Sequence, residues 1–414
     1  MFSPRNGFLV AAGLLAAGAA IATASDDDEP PMYLPSETEF QFSENPYAGH
    51  DKLDMITSGL AHLVAIRYGQ GSFSSQNAAY TEVYGDFCVY DNTLNKEGGP
   101  SLYPTVEDMI ETSDHCSDHT FTLQLDEVVA AVSSHDTGRA IPSLSGGIFH
   151  EGHAGASLVS NTIATFVDTL VVAEHPAIHD ALAACDQIRN TYLSEDCSPS
   201  QQKQLVEDVI KLSTRSSNPS ITRAYVKFHS SSTVHLPMFR EIFSQVPWTF
   251  HYRDHETVLA KSTESSRSPC VFTGRNPSSA LAQKAEGFNV DLDGMSQEDL
   301  CALYLSTLLE VAIQEYKSSG GTGLLVLYEQ LLEPSYMLND LLPHLGFQAE
   351  IDADSATVSA NVEETLSIKS NPRGDPGHHA IRWDAGKEAV NINPKVRAAS
   401  QLFMAGAMEA IGRL

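Results

Sequence analysis

The chain of 414 residues is short of positive charge: 25 Lys and Arg stand against 53 Asp and Glu, for a net charge of −28. A field of that sign repels polyphosphates, which argues against nucleic acid as a partner. It weighs in the same direction against heavily sulfated polyanions. No Cys-x-x-Cys occurs, so a zinc ribbon or a thioredoxin-type motif has no support. The Asn-x-Ser triplets at Asn218 and Asn276 have Pro in the middle and are blocked as glycosylation acceptors. No internal repeat is visible, and past the N-terminal segment no run is long and apolar enough to span a bilayer.

What is present begins at that segment. Arg5 precedes an apolar run, Gly7–Ile21, and Ala22-Thr23-Ala24 offers a small-x-small cleavage site before Ser25. Residues 1–24 therefore have the layout of a secretory signal. Gly7–Ala24 is also near the lower limit for crossing a bilayer, so an uncleaved signal anchor is the alternative, and with it a membrane as partner. Residues 25–36 form an acidic, Pro-containing linker. Six cysteines (Cys88, Cys116, Cys185, Cys197, Cys270, Cys301) suit the oxidising lumen of the secretory pathway, the Golgi or the exterior. Sequence does not fix their connectivity; pairing of neighbours (88–116, 185–197, 270–301) is the expectation adopted.

Residues 37–145 read as a cap region, mainly helical or irregular. A helix is expected at Lys52–Tyr68, irregular Gly/Asn/Ser/Asp-rich sequence to about His119, and a helix at Leu125–Ser133. From residue 146 to 414 the grammar changes. Short apolar runs alternate with helical patterns, the signal for βαβ units and an α/β domain with a parallel sheet. Strands are expected at Gly147–His150, Thr169–Ala173, Ala224–Phe228, Trp248–Tyr252 and Leu324–Tyr328. Helices are expected at Leu158–Val167, Val234–Ser244, from about Glu256, and at Asp299–Tyr316. Ser262–Gly294 shows no clear periodicity.

The first of these strands runs through Glu151-Gly152-His153-Ala154-Gly155-Ala156-Ser157 into a helix. Such a turn aims loop amides and a helix N-terminus at one spot and makes an anion site. It lacks the Gly-Lys-[Ser/Thr] ending that grips β- and γ-phosphates, which disfavours ATP and GTP. The histidines invite a metal reading, through His150, His153, His175 and His179. But His150-Glu151-Gly152-His153 is one residue short of the HExxH spacing, and His175-Pro176 begins a helix, so no metal is expected.

Five segments in order resemble the sulfotransferase superfamily. Residues 151–157 resemble its 5′-phosphosulfate loop, in the form His-Glu-Ser-Arg-x-Gly-Ser-Thr-Leu found in an uncharacterised group. Val172-Ala173-Glu174-His175-Pro176 resembles a strand-end Glu-Pro segment, and Tyr225-Val226-Lys227-Phe228 a third strand bearing Lys. Val246–Asp254 resembles the 3′-phosphate motif Pro-Trp-x-Phe-x-Tyr-Arg-Asp-Pro, and Leu327-Tyr328-Glu329-Gln330-Leu331 resembles Tyr-Glu-x-Leu. The resemblance runs from about Ile148 to near Leu402 and implies the P-loop-like sulfotransferase fold.

It also implies sulfuryl transfer from 3′-phosphoadenosine 5′-phosphosulfate to a hydroxyl of a small-molecule, carbohydrate or peptide acceptor. Gly152, His153, Ala154, Gly155, Ala156 and Ser157 would hold the 5′-phosphosulfate, with His153 at the reacting oxygens. Arg253, with Lys261 or Ser262, would hold the 3′-phosphate, and Arg373 would lie in a C-terminal loop over the nucleotide. Glu174 would take the acceptor proton, with His175 and His179 as alternatives. The chain departs from the pattern at His153, where relatives carry Lys or Arg, at His255 in place of Pro, and at Lys261 in place of Ser. A neutral His stabilises a sulfuryl oxygen less well than a fixed cation. The second reading is therefore a catalytically lapsed fold acting as a luminal binding or scaffold protein.

Overall fold

In the computed structural model, the described residues are 47–414 apart from 70–71, 74–78, 94–103, 138–140, 187–196, 265–267, 276, 370–380, 383–389 and 391. The N-terminal signal or anchor and the acidic linker lie outside them.

The apolar runs after residue 142 are strands because both of their faces are covered. β4 (Ser143–His150), β5 (Thr169–Ala173), β6 (Arg223–Lys227), β7 (Trp248–Tyr252) and β8 (Gly323–Leu327) pair in parallel in the order β5-β6-β4-β7-β8. Alternate residues go to opposite faces. Phe149, Leu170, Val172, Val226, Trp248 and Phe250 join one core cluster, and Ile148, Val171, Ala173, Tyr225 and Val326 the other. Each Val, Leu, Ile or Phe among them contributes about 1.5–3 kcal/mol when fully buried. The helix Gln297–Lys317 lies over the first cluster, burying Leu300, Leu303, Tyr304, Leu308 and Ala312. Two of the expected strands, 169–173 and 248–252, have the bounds read from sequence, and the others shift by one to four residues.

The expected helix Lys52–Tyr68 is corrected. A helix spans only Lys52–Thr57, because Gly59 turns the chain at φ +76°. Ala61–Tyr68 is then β1, antiparallel to β2 (Val83–Val89), which pairs with β3 (Phe121–Gln124). The run of apolar and β-branched residues at 61–66 satisfies either period, and pairing with β2 decides it. Short helices at Val106–Glu111 and Asp114–Asp118 also occupy sequence read as irregular, as do Pro269–Arg275 and Ser279–Phe288 in the stretch without clear periodicity.

This N-terminal sheet shares the first core cluster with the parallel sheet. Arg215, buried, ties the two regions: it donates to the Ile56 and Thr57 carbonyls and to Asp136 Oδ2 at 2.6 Å. His175 does the same from the other side, its Nε2 3.0 Å from the Leu63 carbonyl. The disulfides are Cys88–Cys116, Cys185–Cys197 and Cys270–Cys301, the neighbour pairs. Such bridges fit an extracellular or secretory-pathway protein. Among the described residues no helix is long and apolar enough to cross a membrane.

Among the described residues four histidines are buried as neutral rings. Burial lowers the pKa of His62, His150 and His175 to about 4 and that of His251 to about 3. A depressed folded-state pKa stabilises the fold above the unfolded value of about 6.5, and that contribution is lost as pH falls below it. Each ring should cost on the order of 1–3 kcal/mol between pH 6.5 and 4. The melting temperature should accordingly drop across that range; a level melting temperature from pH 7 to 4.5 would show that these rings take up protons without penalty.

Candidate functional site

In an open parallel sheet the crevice forms where neighbouring strands send their connections in opposite directions. Here the chain leaves β4 for β5 on one side and leaves β7 for β8 on the other. A cavity of about 620 Å³ opens at the carboxyl ends of these two strands.

The anion loop is its rim. Gly152, His153 and Gly155 turn at φ +89°, +49° and +81°, and the helix Ala156–Ala164 follows without a side-chain cap. The Leu158 amide bonds the Gly155 carbonyl at 2.9 Å, and the N-terminal end of the helix lines the cavity, where its dipole favours an anion. Gly155 is needed twice over. Besides its left-handed φ, a Cβ there would lie 2.8 Å from Leu331 Cδ1 and 2.9 Å from the Tyr328 ring. Glu151, buried at the start of the loop, accepts from the Arg253 amide at 2.6 Å and so fixes the ends of β4 and β7 together. Burial pushes its pKa well above the ordinary carboxylate range.

Arg253 stands one residue beyond β7. Its guanidinium stacks on the Tyr328 ring at 4.2 Å, and Nε lies 4.0 Å from Glu329. The stacking holds the side chain along the cavity wall. The helix His255–Thr263, capped by Asp254, brings Lys261 and buried Ser262 to the same cavity. Thus Gly152 to Ser157, Glu174, Arg253, Lys261 and Ser262 converge on one cavity, while Arg373 lies outside the described residues.

Glu174, like His153, is a non-glycine residue at positive φ, +52°, directly after β5. Its Oε1 lies 2.8 Å from Lys227 Nζ and 3.7 Å from His150 Nε2, and its Oε2 lies 3.8 Å from His229 Nδ1. Burial alone would raise its pKa, but Lys227 and the two histidines outweigh burial and hold it at about 2. His229 lines the cavity, and its pKa is lowered, chiefly by burial and also by Lys227 against the pull of Glu174. His175 caps the helix Pro176–Ala183 through Nδ1 and meets the Leu63 carbonyl through Nε2, so both its nitrogens have structural duties. His179 faces Ser232 at 2.9 Å and the His229 ring at 5.2 Å.

The sequence reading did not single out His229, Ser230 or Tyr304 as cavity residues, and gave Lys227 only as the lysine of a resembled strand. Tyr304 OH is 3.2 Å from Ser230 Oγ. The usable signal was a polar pair, Lys227 and His229, closing an otherwise apolar strand. Tyr304 gave none, since it sits on the buried stripe of a helix. Among the described residues no group of three or more His, Cys, Asp or Glu is placed to hold a metal ion.

No family model matches the chain, and no curated protein does. Among solved structures it is similar to the sulfotransferase STF9 from Mycobacterium avium, at 9% identity and a TM-score of 0.39, over 70% of this chain and 80% of that one. It is also similar to the sulfotransferase domain of the Synechococcus PCC 7002 olefin synthase. The identity there is 12% and the TM-score 0.28, over 63% of this chain and 94% of that one.

Gly152 and Gly155 give a paired test of the loop. Both have positive φ, but a Cβ at Gly152 meets nothing within 4 Å. Gly152→Ala should cost about 1 kcal/mol from backbone strain alone. Gly155→Ala, which adds the Tyr328 and Leu331 contacts, should cost on the order of 2–4 kcal/mol by urea denaturation. Equal losses would mean that the close approach of Tyr328 does not limit the loop.

Proposed function

We propose that the chain is a sulfotransferase, moving the sulfuryl group of 3′-phosphoadenosine 5′-phosphosulfate to a hydroxyl of an acceptor. The observation that carries this reading is the convergence on one cavity of two anion-binding elements and a proton-accepting cluster. The loop at 152–157 suits the 5′-phosphosulfate. Arg253, with Lys261 or Ser262, suits the 3′-phosphate, because a guanidinium meets a phosphate monoester with paired donors.

The reaction parallels in-line phosphoryl transfer, in which positioning and charge stabilisation do most of the catalysis. The acceptor oxygen forms a bond to sulfur while the bridging sulfur–oxygen bond breaks, its electron pair leaving on the 5′-phosphate. The acceptor proton goes to the Glu174–His229 pair. A carboxylate held at about 2 is a weak base at neutral pH. The neutral His229 ring therefore takes the proton, and Glu174 stabilises the imidazolium that results. This shares between two residues the duty that the family resemblance gives to Glu174, with His175 and His179 as its alternatives. His153, exposed on the loop, meets the sulfuryl side from the rim.

Arg253→Ala tests the donor site. Charge-assisted bonds contribute roughly 1.5–3 kcal/mol each. Calorimetry should show binding of 3′-phosphoadenosine 5′-phosphate weakened on the order of tenfold to a few hundredfold. Adenosine 5′-phosphosulfate, which has no 3′-phosphate, should lose much less. Equal losses would assign Arg253 to the fold instead. Absence of binding to the wild-type chain at saturating nucleotide would favour the lapsed, non-catalytic reading.

The proton acceptor has its own signature. With Glu174 ionised throughout, kcat/KM should fall as pH drops through the His229 pKa, which lies below the ordinary 6.5. An acid limb centred above pH 7 would remove His229 from this role.

A further inference from the structure

Glu151 has one carboxyl oxygen in use and one left over. The residue is 2% exposed, and its Oε1 accepts from the Arg253 amide at 2.6 Å. Its Oε2 is buried too, and among the described residues it has no hydrogen-bond partner. Native folds rarely leave a buried polar atom unsatisfied, because its lost hydration is not recovered. In the wall of a cavity such an atom points to a ligand, and Glu151 lines the cavity together with Arg253 and Lys261. The surrounding charges favour the acid form. Asp254 and Glu329, each half exposed, bear on Glu151, as do Arg253 and the Tyr252 phenol. An ionised Glu151 would set three carboxylates against Arg253 and Lys261 at the corner assigned to a phosphate. Burial, aided by Asp254 and Glu329, keeps the proton on. With Oε1 committed as an acceptor, that proton belongs on Oε2, which becomes a donor.

We propose that Glu151 binds the 3′-phosphate of the nucleotide as a neutral carboxylic acid, its Oε2 hydroxyl donating to a phosphate oxygen beside Arg253. This rests on the sulfuryl-donor reading above and deepens it with a further binding residue. The neighbours of Glu151 set the side: Arg253 and Asp254 follow β7 and Glu329 follows β8, all on the Arg253 side of the cavity. A hydroxyl donating to an anionic oxygen makes a short, charge-assisted bond. It supplies a donor to the phosphate without leaving a further charge on the protein. Once Glu151 ionises, the same oxygen has no proton to donate and repels the phosphate, so the corner closes to anions as pH rises.

The test is calorimetry on the full chain and on Glu151→Gln from about pH 6 to about pH 9.5. The Gln amide keeps an acceptor for the Arg253 N–H and a donor at the other position, and it does not ionise. Binding of 3′-phosphoadenosine 5′-phosphate to the wild type should weaken roughly tenfold or more across this range, as Glu151 loses its proton. Glu151→Gln should match the wild type within about threefold at the acid end and hold that affinity at the alkaline end. The phosphate, the histidines and Tyr252 titrate in both proteins, so the difference between the two profiles belongs to residue 151. Adenosine 5′-phosphate, which has no 3′-phosphate, should separate the two proteins by less than about threefold throughout. Parallel profiles, or an equal separation with adenosine 5′-phosphate, would overturn the proposal and leave the donor reading intact, since the nucleotide still binds. Should Glu151→Gln fail to fold, a wild-type affinity that stays level over the range overturns it as well. If the wild type binds 3′-phosphoadenosine 5′-phosphate at no pH, the donor reading and the proposal fall together.

Discussion

The register of β4 between β6 and β7 is the constraint on which the rest of the site depends. Ile148 lies opposite Lys227 on one side and opposite Thr249 on the other, and His150 lies opposite His251. Side chains alternate, so a slip of one residue would exchange Ile148 and Phe149 between the two core clusters and flip every neighbour with them. It would also move the start of the anion loop about 3.3 Å along the strand relative to Arg253. The Glu151 bond to the Arg253 amide holds the two strand ends at their observed offset. Core packing thus fixes the geometry of an electrostatic site: burying Phe149 and Ile148 on the proper faces sets where the anion loop and the arginine meet.

In a chain with a net charge of −28, the cavity still gathers basic groups and a helix N-terminus. At an ionic strength near 0.15 M, charges more than about 8 Å apart in solvent are largely screened, so the acidic surface is felt only weakly inside the crevice. What bears on the cavity is short-ranged: the N-terminal end of the helix Ala156–Ala164, Arg253 held on Tyr328, and the ammonium of Lys227. Buried ion pairs are weak evidence for stability, because desolvation offsets much of their attraction. The Lys227–Glu174 pair is better understood through its surroundings. Glu174 adopts φ +52°, a conformation that costs a non-glycine residue about 1–3 kcal/mol, and it bears on two histidines as well as the lysine.

The N-terminal sheet supports this arrangement from behind. Leu63 on β1 accepts from or donates through nothing but its backbone, yet its carbonyl engages His175 and so fixes the first residue after Glu174. Arg215 binds the carbonyls at the end of the helix Lys52–Thr57, and Tyr80 OH meets Asp208 at 2.9 Å. These bonds anchor the helices Pro176–Ala183 and Pro199–Ser213, which pack against each other and against β1. Residues far from the cavity in sequence therefore bear on the strained turn at Glu174.

Sequence alone determined the parallel sheet, because β4 to β8 are buried on both faces and must be written as short apolar runs. It determined the strand-to-helix turn at 151–157 as well, since Gly152 and Gly155 mark positive φ directly after a strand, and it located Arg253 at the end of another. Local pattern was ambiguous at Ala61–Tyr68, where an apolar run suits a helix or a strand until a partner is present. Only tertiary structure supplied that partner, β2. Only tertiary structure, too, brought Lys227 under Ser157 and set His229 beside Glu174. Those groups are 70 and 55 residues apart in the chain, respectively. Their meeting depends on strand order, which skips from β4 to β5 and returns through β6, and no periodicity within a single segment encodes that order. The contact of Lys227 with the loop is therefore invisible in the loop's own sequence, because the fold delivers it from the next strand.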